Sequence, residues 1–271
     1  MKRIFQILIC CILIITLSAC GQLTDIYSEF KDDLNASVES SDGEFENEDD
    51  KPLIEDETET ETEQAGNYFI GDIISFGKYE QDNNSSNGKE DIEWLIIDVS
   101  DTDVLLISKH GLDCVKYNSI KEEVTWETCS LRKWLNDTFF NEAFTIEEKQ
   151  KIISSSVPAE KMPKYNVNPG NETNDNVFIL NGNECNKYLS SGRVESCTAT
   201  EYAIANGAST SIYEDGECWW WMRSPGSSTP PAVDVYFYNT IFGKGVVNLN
   251  GYHVDTEGVT VRPVIRINTK E

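Results

Sequence analysis

Downstream of residue 67, short apolar runs alternate with clusters of Gly, Pro, Asn, Asp and Ser, and the period of the apolar positions changes twice. Ile70-Gly71-Asp72-Ile73-Ile74-Ser75-Phe76-Gly77 predicts a first strand that stops at its last glycine, followed by a polar loop over residues 82–90. Residues 92–99 and 104–108 are rich in β-branched side chains and flank Ser100-Asp101-Thr102-Asp103, the pattern of a hairpin. The period then lengthens. Leu131, Trp134 and Leu135 stand at i, i+3 and i+4 behind Ser130, which predicts a helix capped by that serine. Thr145-Ile146-Glu147-Glu148 has the form of a capping box opening a second helix, although Ile146, Lys149, Ile152 and Ile153 make only a weak apolar face. Val177-Phe178-Ile179-Leu180 is strand-like, and residues 181–190 read as a third short helix. The last third returns to strands at 219–222, 232–238, 245–249 and 259–267, with Val233, Val235 and Phe237 alternating with Asp234, Tyr236 and Tyr238. Strands, then two or three helices, then strands predict an α+β fold on short antiparallel strands. No internal repeat is present.

Charge divides the chain. It has 271 residues and a formal net charge of −25, and 17 of its 47 acidic residues lie between positions 21 and 67, against two lysines there. The runs Glu44-Phe45-Glu46-Asn47-Glu48-Asp49-Asp50 and Glu55-Asp56-Glu57-Thr58-Glu59-Thr60-Glu61-Thr62-Glu63 bury little and repel themselves, so they are expected to stay disordered. As a tether, this stretch would span about 40 Å on average; a calcium-collecting or partner-binding tail is the competing reading. Nucleic acid is excluded as a natural partner, because phosphate binding needs clustered Lys and Arg. The ~200 residues that follow suffice for one domain with a substantial core, and they hold all six tryptophans.

The N-terminus supplies an address. Lys2 and Arg3 precede an apolar run over residues 4–17, shorter than the ~20 residues a helix needs to cross hydrocarbon. The run closes on Leu17-Ser18-Ala19-Cys20, followed by Gly21, and this resembles the lipobox of bacterial lipoproteins. The resemblance implies cleavage before Cys20, a diacylglycerol on its thiol, and attachment to the cell membrane at the extracellular face through that N-terminal lipid. The expected organisation is a lipoprotein signal peptide at 1–19, a lipid-anchored acidic linker at 20–67 and one globular domain at 68–271.

Two patches of that domain carry a family pattern. The first runs through Ile92-Glu93-Trp94-Leu95, Leu106-Ile107-Ser108-Lys109 and Thr125-Trp126-Glu127-Thr128-Cys129-Ser130-Leu131-Arg132-Lys133-Trp134-Leu135-Asn136. The second is Trp220-Trp221-Met222-Arg223-Ser224-Pro225-Gly226, closed by Gly258-Val259-Thr260-Val261-Arg262-Pro263. Together they resemble the bacterial domain of unknown function 6273 over about residues 71–267. That family in turn is distantly similar to the C-type-lectin-like and sulfatase-modifying-factor group, which implies a C-type-lectin-like fold and transfers no chemistry. The Glu-Pro-Asn and Gln-Pro-Asp loops of calcium-dependent lectins are absent.

Few residues suggest chemistry directly. Trp219, Trp220, Trp221, Arg223 and Arg262 are the candidate ligand-binding residues. Alternation along a strand puts Trp219 and Trp221 on one face and Trp220 on the other, one face being core. Bracing of loops by the two arginines is the competing structural role. Five cysteines follow Cys20, namely Cys114, Cys129, Cys185, Cys197 and Cys218. An odd number cannot all pair, and no C-x-x-C spacing suggests zinc; one or two disulfides and simple burial both remain open. His110 and His253 have no sequence partner, and the oxygen-rich stretch over 166–176 lacks the calcium-loop spacing. No catalytic group, metal or cofactor is expected. The composite expectation is a membrane-anchored binding module for a glycan, a wall polymer or another envelope protein. The alternatives are an enzyme or enzyme accessory related to the sulfatase-modifying factors, and a structural partner in an envelope assembly. A buried, paired cysteine of low pKa would favour the enzyme reading.

Overall fold

The computed structural model describes residues 68–161, 167–189, 197–211, 216–227, 237–242 and 246–270. Cys20, the apolar run, the acidic stretch and the alternation at 232–236 lie outside them. The elements are an α+β set. Strands β1 (Ile73–Tyr79), β2 (Glu90–Val99), β3 (Asp103–Ser108) and β9 (Val264–Asn268) form a four-stranded antiparallel sheet in the order β1-β2-β3-β9. A second antiparallel sheet contains β6 (Trp219–Pro225), β7 (Phe237–Phe242) and β8 (Val246–His253), and a two-stranded ribbon joins β4 (Ser155–Val157) to β5 (Thr173–Asp175). The helices are α1 (Ser130–Trp134), α2 (Phe140–Ala143), α3 (Ile146–Lys151), α4 (Gly182–Leu189) and α5 (Glu201–Ala205); a π-helical turn, Leu135–Phe139, runs from α1 into α2.

The hairpin forms as its pattern predicts, with Leu95 opposite Ile107 and Val99 opposite Val104. Trp94 to Ile97 are buried in succession, as a strand covered on both faces requires. The first strand does not end at Gly77. It bulges there, between Ser75 and Lys78, and continues to Tyr79. Gly77 has φ +73°, and a Cβ at that position would lie 2.6 Å from the Phe144 ring. Glycine therefore serves both the backbone turn and the close approach of Phe144, the residue that ends α2.

Ser130 is not the cap of α1. Cys129 occupies that position, its thiol accepting the Arg132 N–H at 3.5 Å, while the Ser130 hydroxyl accepts the Ser119 N–H at 2.8 Å. The Thr145–Glu148 capping box is present in both directions. Residues 259–263 do not continue into β9, because Pro263 lacks the N–H a ladder needs. Thr260 instead bridges Trp220 and Val261 bridges Asp113, so this stretch stitches the two larger sheets together. Residues 177–180 form one bridge, Phe178 to Val264, rather than a strand.

One core unites these elements. Trp94, Trp220, Trp221, Tyr117 and Phe139 are all fully buried in it. The buried indole nitrogens of Trp94 and Trp221 donate to the carbonyls of Phe76 (2.7 Å) and Val115 (3.0 Å). Such bonds let large aromatic side chains enter a core without stranding a donor.

Candidate functional site

The segment from Thr125 to Asn136 builds a polar cleft. Thr128 and Cys129 turn the chain back on Thr125, and α1 then carries Arg132 and Lys133, and the π-helical turn after it Asn136, along one wall. The opposite wall is β5 with the residues after it. Between them lies a cavity of about 640 Å³, whose lining includes Asn118, Glu127, Thr128, Lys133, Asp137, Asn174 and Asn176. Its base is held by Asp175, whose carboxylate is wholly buried. One oxygen accepts Arg132 Nε at 2.6 Å. The other accepts Trp126 Nε1 at 2.9 Å and the Thr173 hydroxyl at 2.7 Å. Asn136 ties the walls together. Its amide oxygen accepts the N–H groups of Asn176 and Val177, and its amide nitrogen donates to the carbonyls of Arg132 and Val177. Asn136 lies within the π-helical turn at Leu135–Phe139, and such insertions recur at functional sites.

The structural groups are thus saturated, and the rim is not. The side chains of Lys133, Asp137 and Asn174 are exposed and that of Asn176 is half-buried. None of the four has a side-chain hydrogen bond among the described residues. The rim carries one net negative charge, Glu127 and Asp137 against Lys133, since the Arg132 charge is neutralised by Asp175. The arrangement offers the Asn174 and Asn176 amides and the charges of Lys133 and Asp137 to a polar molecule.

Residues 167–176, the described part of the 166–176 stretch considered above for calcium, supply one wall of this cleft. Asn171 donates to Glu127 at 2.9 Å, Asn168 accepts the Gly170 N–H, and Gly170 (φ +88°) sits where a Cβ would meet the Thr125 side chain at 2.6 Å. A different acidic group gathers elsewhere. Carboxylate oxygens of Glu80, Asp82 and Glu90 lie within 4.8 Å of one another, and they already accept the N–H groups of Gln81, Asp82 and Asn84.

The five candidate ligand-binding residues are placed differently from the expectation of one buried and one open strand face. Trp220 and Trp221 are both fully buried, because β6 is covered on both sides. Trp221 meets Tyr117 edge-on at 5.6 Å, and Trp220 lies beneath the Arg262 guanidinium at 5.2 Å. Trp219 is half-buried against Tyr252. Arg223 is buried in a bidentate pair with Glu184, both contacts at 2.6 Å, and donates to the Ile179 carbonyl. Arg262 donates to the carbonyls of Ser108 and Lys109 and so fixes the end of β3 to the stitching segment. Four of the five therefore sit beneath the surface with structural partners. The cleft uses none of them.

Of the five cysteines among the described residues, Cys114 is half-buried and the other four are buried, all as free thiols. Burial pushes the Cys129 thiol up to about 12 and also raises Cys185, so neither is an activated nucleophile. Cys197 and Cys218 are in contact, with sulfurs 3.8 Å apart. Burial opposes ionisation of Cys197, yet the hydrogen bond from Cys218, the Arg262 charge and the Gly111 N–H outweigh it and ease that thiol down. Cys218 is pushed far up, first by its hydrogen bond to Cys197 and then by burial. Nδ1 of His110 bonds the Thr198 hydroxyl at 2.8 Å, and burial lowers its pKa.

Residues 101–269 match the family described as Domain of unknown function (DUF6273), well over half of the chain. The chain belongs to this family. Among its matched residues are the whole of the Thr125–Asn136 segment, the Trp220–Gly226 segment and the Gly258–Pro263 closure, whereas Ile92-Glu93-Trp94-Leu95 lies ahead of the match. No curated protein and no solved structure matches the chain. Within DUF6273 the geometry here gives the long Thr125–Asn136 motif two tasks: Trp126, Cys129, Leu131 and Leu135 enter the core, and Thr128, Lys133 and Asn136 face the cleft. The cleft was missed from sequence because its second wall comes from residues 174–176, some forty positions away.

Proposed function

We propose that this chain is an extracellular, lipid-anchored binding module whose DUF6273 domain holds a glycan or wall polymer in the cleft between α1 and β5. The observation that carries the reading is the rim itself. The amides of Asn174 and Asn176 stand without side-chain hydrogen bonds among the described residues, on the rim of a cavity of about 640 Å³ with one net negative charge and a base that is already hydrogen-bonded. A neutral polyhydroxylated ligand suits such a rim, since sugar hydroxyls pair with amides in both directions. The lipobox-like Leu17-Ser18-Ala19-Cys20 and the acidic 20–67 linker support placement on a tether outside the membrane. Among the described residues no helix is long and apolar enough to cross a membrane. Two antiparallel sheets stitched by the Thr260–Val261 segment are in keeping with the C-type-lectin-like resemblance.

The test is titration of the full chain in detergent against a panel of wall polysaccharides and oligosaccharides, with Asn174→Ala and Asn176→Ala as variants. Each side chain lies on the rim and makes no internal bond, so folding is expected to be unchanged. Loss of two polar ligand contacts is expected to weaken binding about tenfold or more in the double variant. Equal affinity in the wild-type and double-variant chains refutes the placement of the site. A second reading, an enzyme accessory of the sulfatase-modifying kind, is favoured by one observation only, the buried Cys197–Cys218 pair with its eased thiol.

A further inference from the structure

Cys197 and Cys218 lie on two chain segments joined by an antiparallel bridge. Thr198 pairs with Glu217. The Ala199 N–H donates to the Gly216 carbonyl and the Cys218 N–H to the Cys197 carbonyl, both at 2.9–3.0 Å. That register sets Cys197 directly across from Cys218, with both side chains on the same face. Opposed residues of a hydrogen-bonded antiparallel pair have Cα atoms about 5.5 Å apart, inside the ~4.4–6.8 Å range that a disulfide spans. Both sulfurs are buried, and they touch at 3.8 Å with the Cys218 thiol donating to Cys197. Small rotations about the two Cα–Cβ bonds suffice to close the gap to the ~2 Å of an S–S bond. From the geometry we infer that Cys197 and Cys218 are a disulfide site, oxidised as the chain folds in the presence of a disulfide oxidant, and that the bridge fastens the segment at 197–199 to the entrance of β6.

The reaction balances without further reagents. The Cys197 thiolate attacks one sulfur of the oxidant, a mixed disulfide forms, and a thiolate of the oxidant leaves. Cys218 then loses its proton and attacks the Cys197 sulfur, which expels the second thiol. Two protein thiols are oxidised and one oxidant disulfide is reduced to two thiols. Because native burial closes both sulfurs off, the bond forms during folding and is then protected from reductant. The loop so closed runs from residue 197 to 218, long enough for the bridge to restrict the unfolded chain appreciably.

The experiment uses the full chain, refolded from reductant and denaturant with a reduced and oxidised glutathione mixture as the probe. The product is alkylated under denaturing conditions without reductant, and then digested and mapped by mass spectrometry. The expected result is one cross-linked species joining the Cys197 and Cys218 peptides, two hydrogens lighter than their sum. Cys114, Cys129 and Cys185 are expected to be alkylated. Alkylation of both Cys197 and Cys218, or their appearance in links to other cysteines, overturns the inference. A second measurement does not depend on mapping. The oxidised chain is expected to melt roughly 6–12 °C above the reduced one, a difference that should vanish in Cys218→Ser and persist in Cys114→Ser. An equal or lower midpoint for the oxidised wild type also overturns it. Neither readout involves the cleft, so this inference and the glycan reading stand or fall separately.

Discussion

Asp175 is where the cleft and the fold depend on one group, and its replacement by alanine is the sharpest test of how the site is built. The carboxylate is fully buried, and its three donors come from three places in the chain: Arg132 on α1, Trp126 ahead of it and Thr173 on β5. Removing one partner of a buried ion pair costs about 3–5 kcal/mol. Arg132 keeps 27 % side-chain exposure, and it keeps bonds to the carbonyls of Glu127 and Asn174. Its charge is therefore partly rehydrated, and the lower figure applies. Trp126 Nε1 is left buried without its acceptor, for another ~1–3 kcal/mol, while the Thr173 hydroxyl can rotate to a new partner. The expected loss is about 4 kcal/mol, or roughly 8–16 °C in melting temperature for a domain near two hundred residues. Asp175→Asn should lose about half as much, since one carbonyl oxygen still serves Trp126. Urea denaturation followed by tryptophan fluorescence reads both, with an unchanged slope required for comparison. A double-mutant cycle with Arg132→Met isolates the pair, and a coupling above ~1.5 kcal/mol is expected. A loss below ~1 kcal/mol in Asp175→Ala, or a coupling near zero, refutes the claim that this carboxylate joins the two walls.

Two other perturbations follow from single positions. Gly77→Ala forces a side chain into φ +73° and places its Cβ 2.6 Å from Phe144; a loss of at least ~2 kcal/mol is expected in the same assay, and a change within 0.5 kcal/mol would show that the bulge relaxes freely. For His110, burial, with the nearby Lys109 charge next, lowers the folded-state pKa below its usual ~6.5. The unfolded state then binds more protons as pH falls below that value, so stability is complete above pH ~6.5 and is lost as pH drops toward the folded pKa. Midpoints compared between pH 7.5 and 5.5 should fall for wild type and fall less for His110→Gln, and parallel slopes would refute the assignment to His110.

The fold was legible wherever local pattern and tertiary demand agree. The hairpin at 90–108 and the Thr145–Glu148 box are decided within a few residues, and both form as the pattern predicts. Misreadings arose where a distant partner decides the outcome. Gly77 reads as a terminator in isolation, but Phe144, 67 positions on, turns it into a bulge. Ser130 has the right side chain for a cap, but Ser119 claims its hydroxyl and the thiol of Cys129 takes the position instead. The helix Glu201–Ala205 went unnoticed because five residues hold too little periodicity to register, although Thr200 caps it.

The same logic explains why the conspicuous residues and the cleft are different places. A Trp-Trp-Trp run beside arginine draws attention because those side chains are large and versatile, yet such side chains are also what two sheets need to fill the space between them. Arg223 and Arg262 spend most of their donors on Glu184 and on carbonyls, and the one left on each, Arg223 Nε and Arg262 Nη1, is buried. Bulk and charge are therefore consumed by the join between sheets, and the open polar groups of the cleft belong to residues that look unremarkable in sequence. Asn174 and Asn176 flank the buried Asp175 in an extended segment, where alternate side chains point opposite ways. Once Asp175 is drawn inward by Arg132 and Trp126, its two neighbours must face out, onto the cleft. Their availability for a ligand is thus a consequence of the carboxylate between them. Substitutions that release Asp175 should disorder the rim before they unfold the domain.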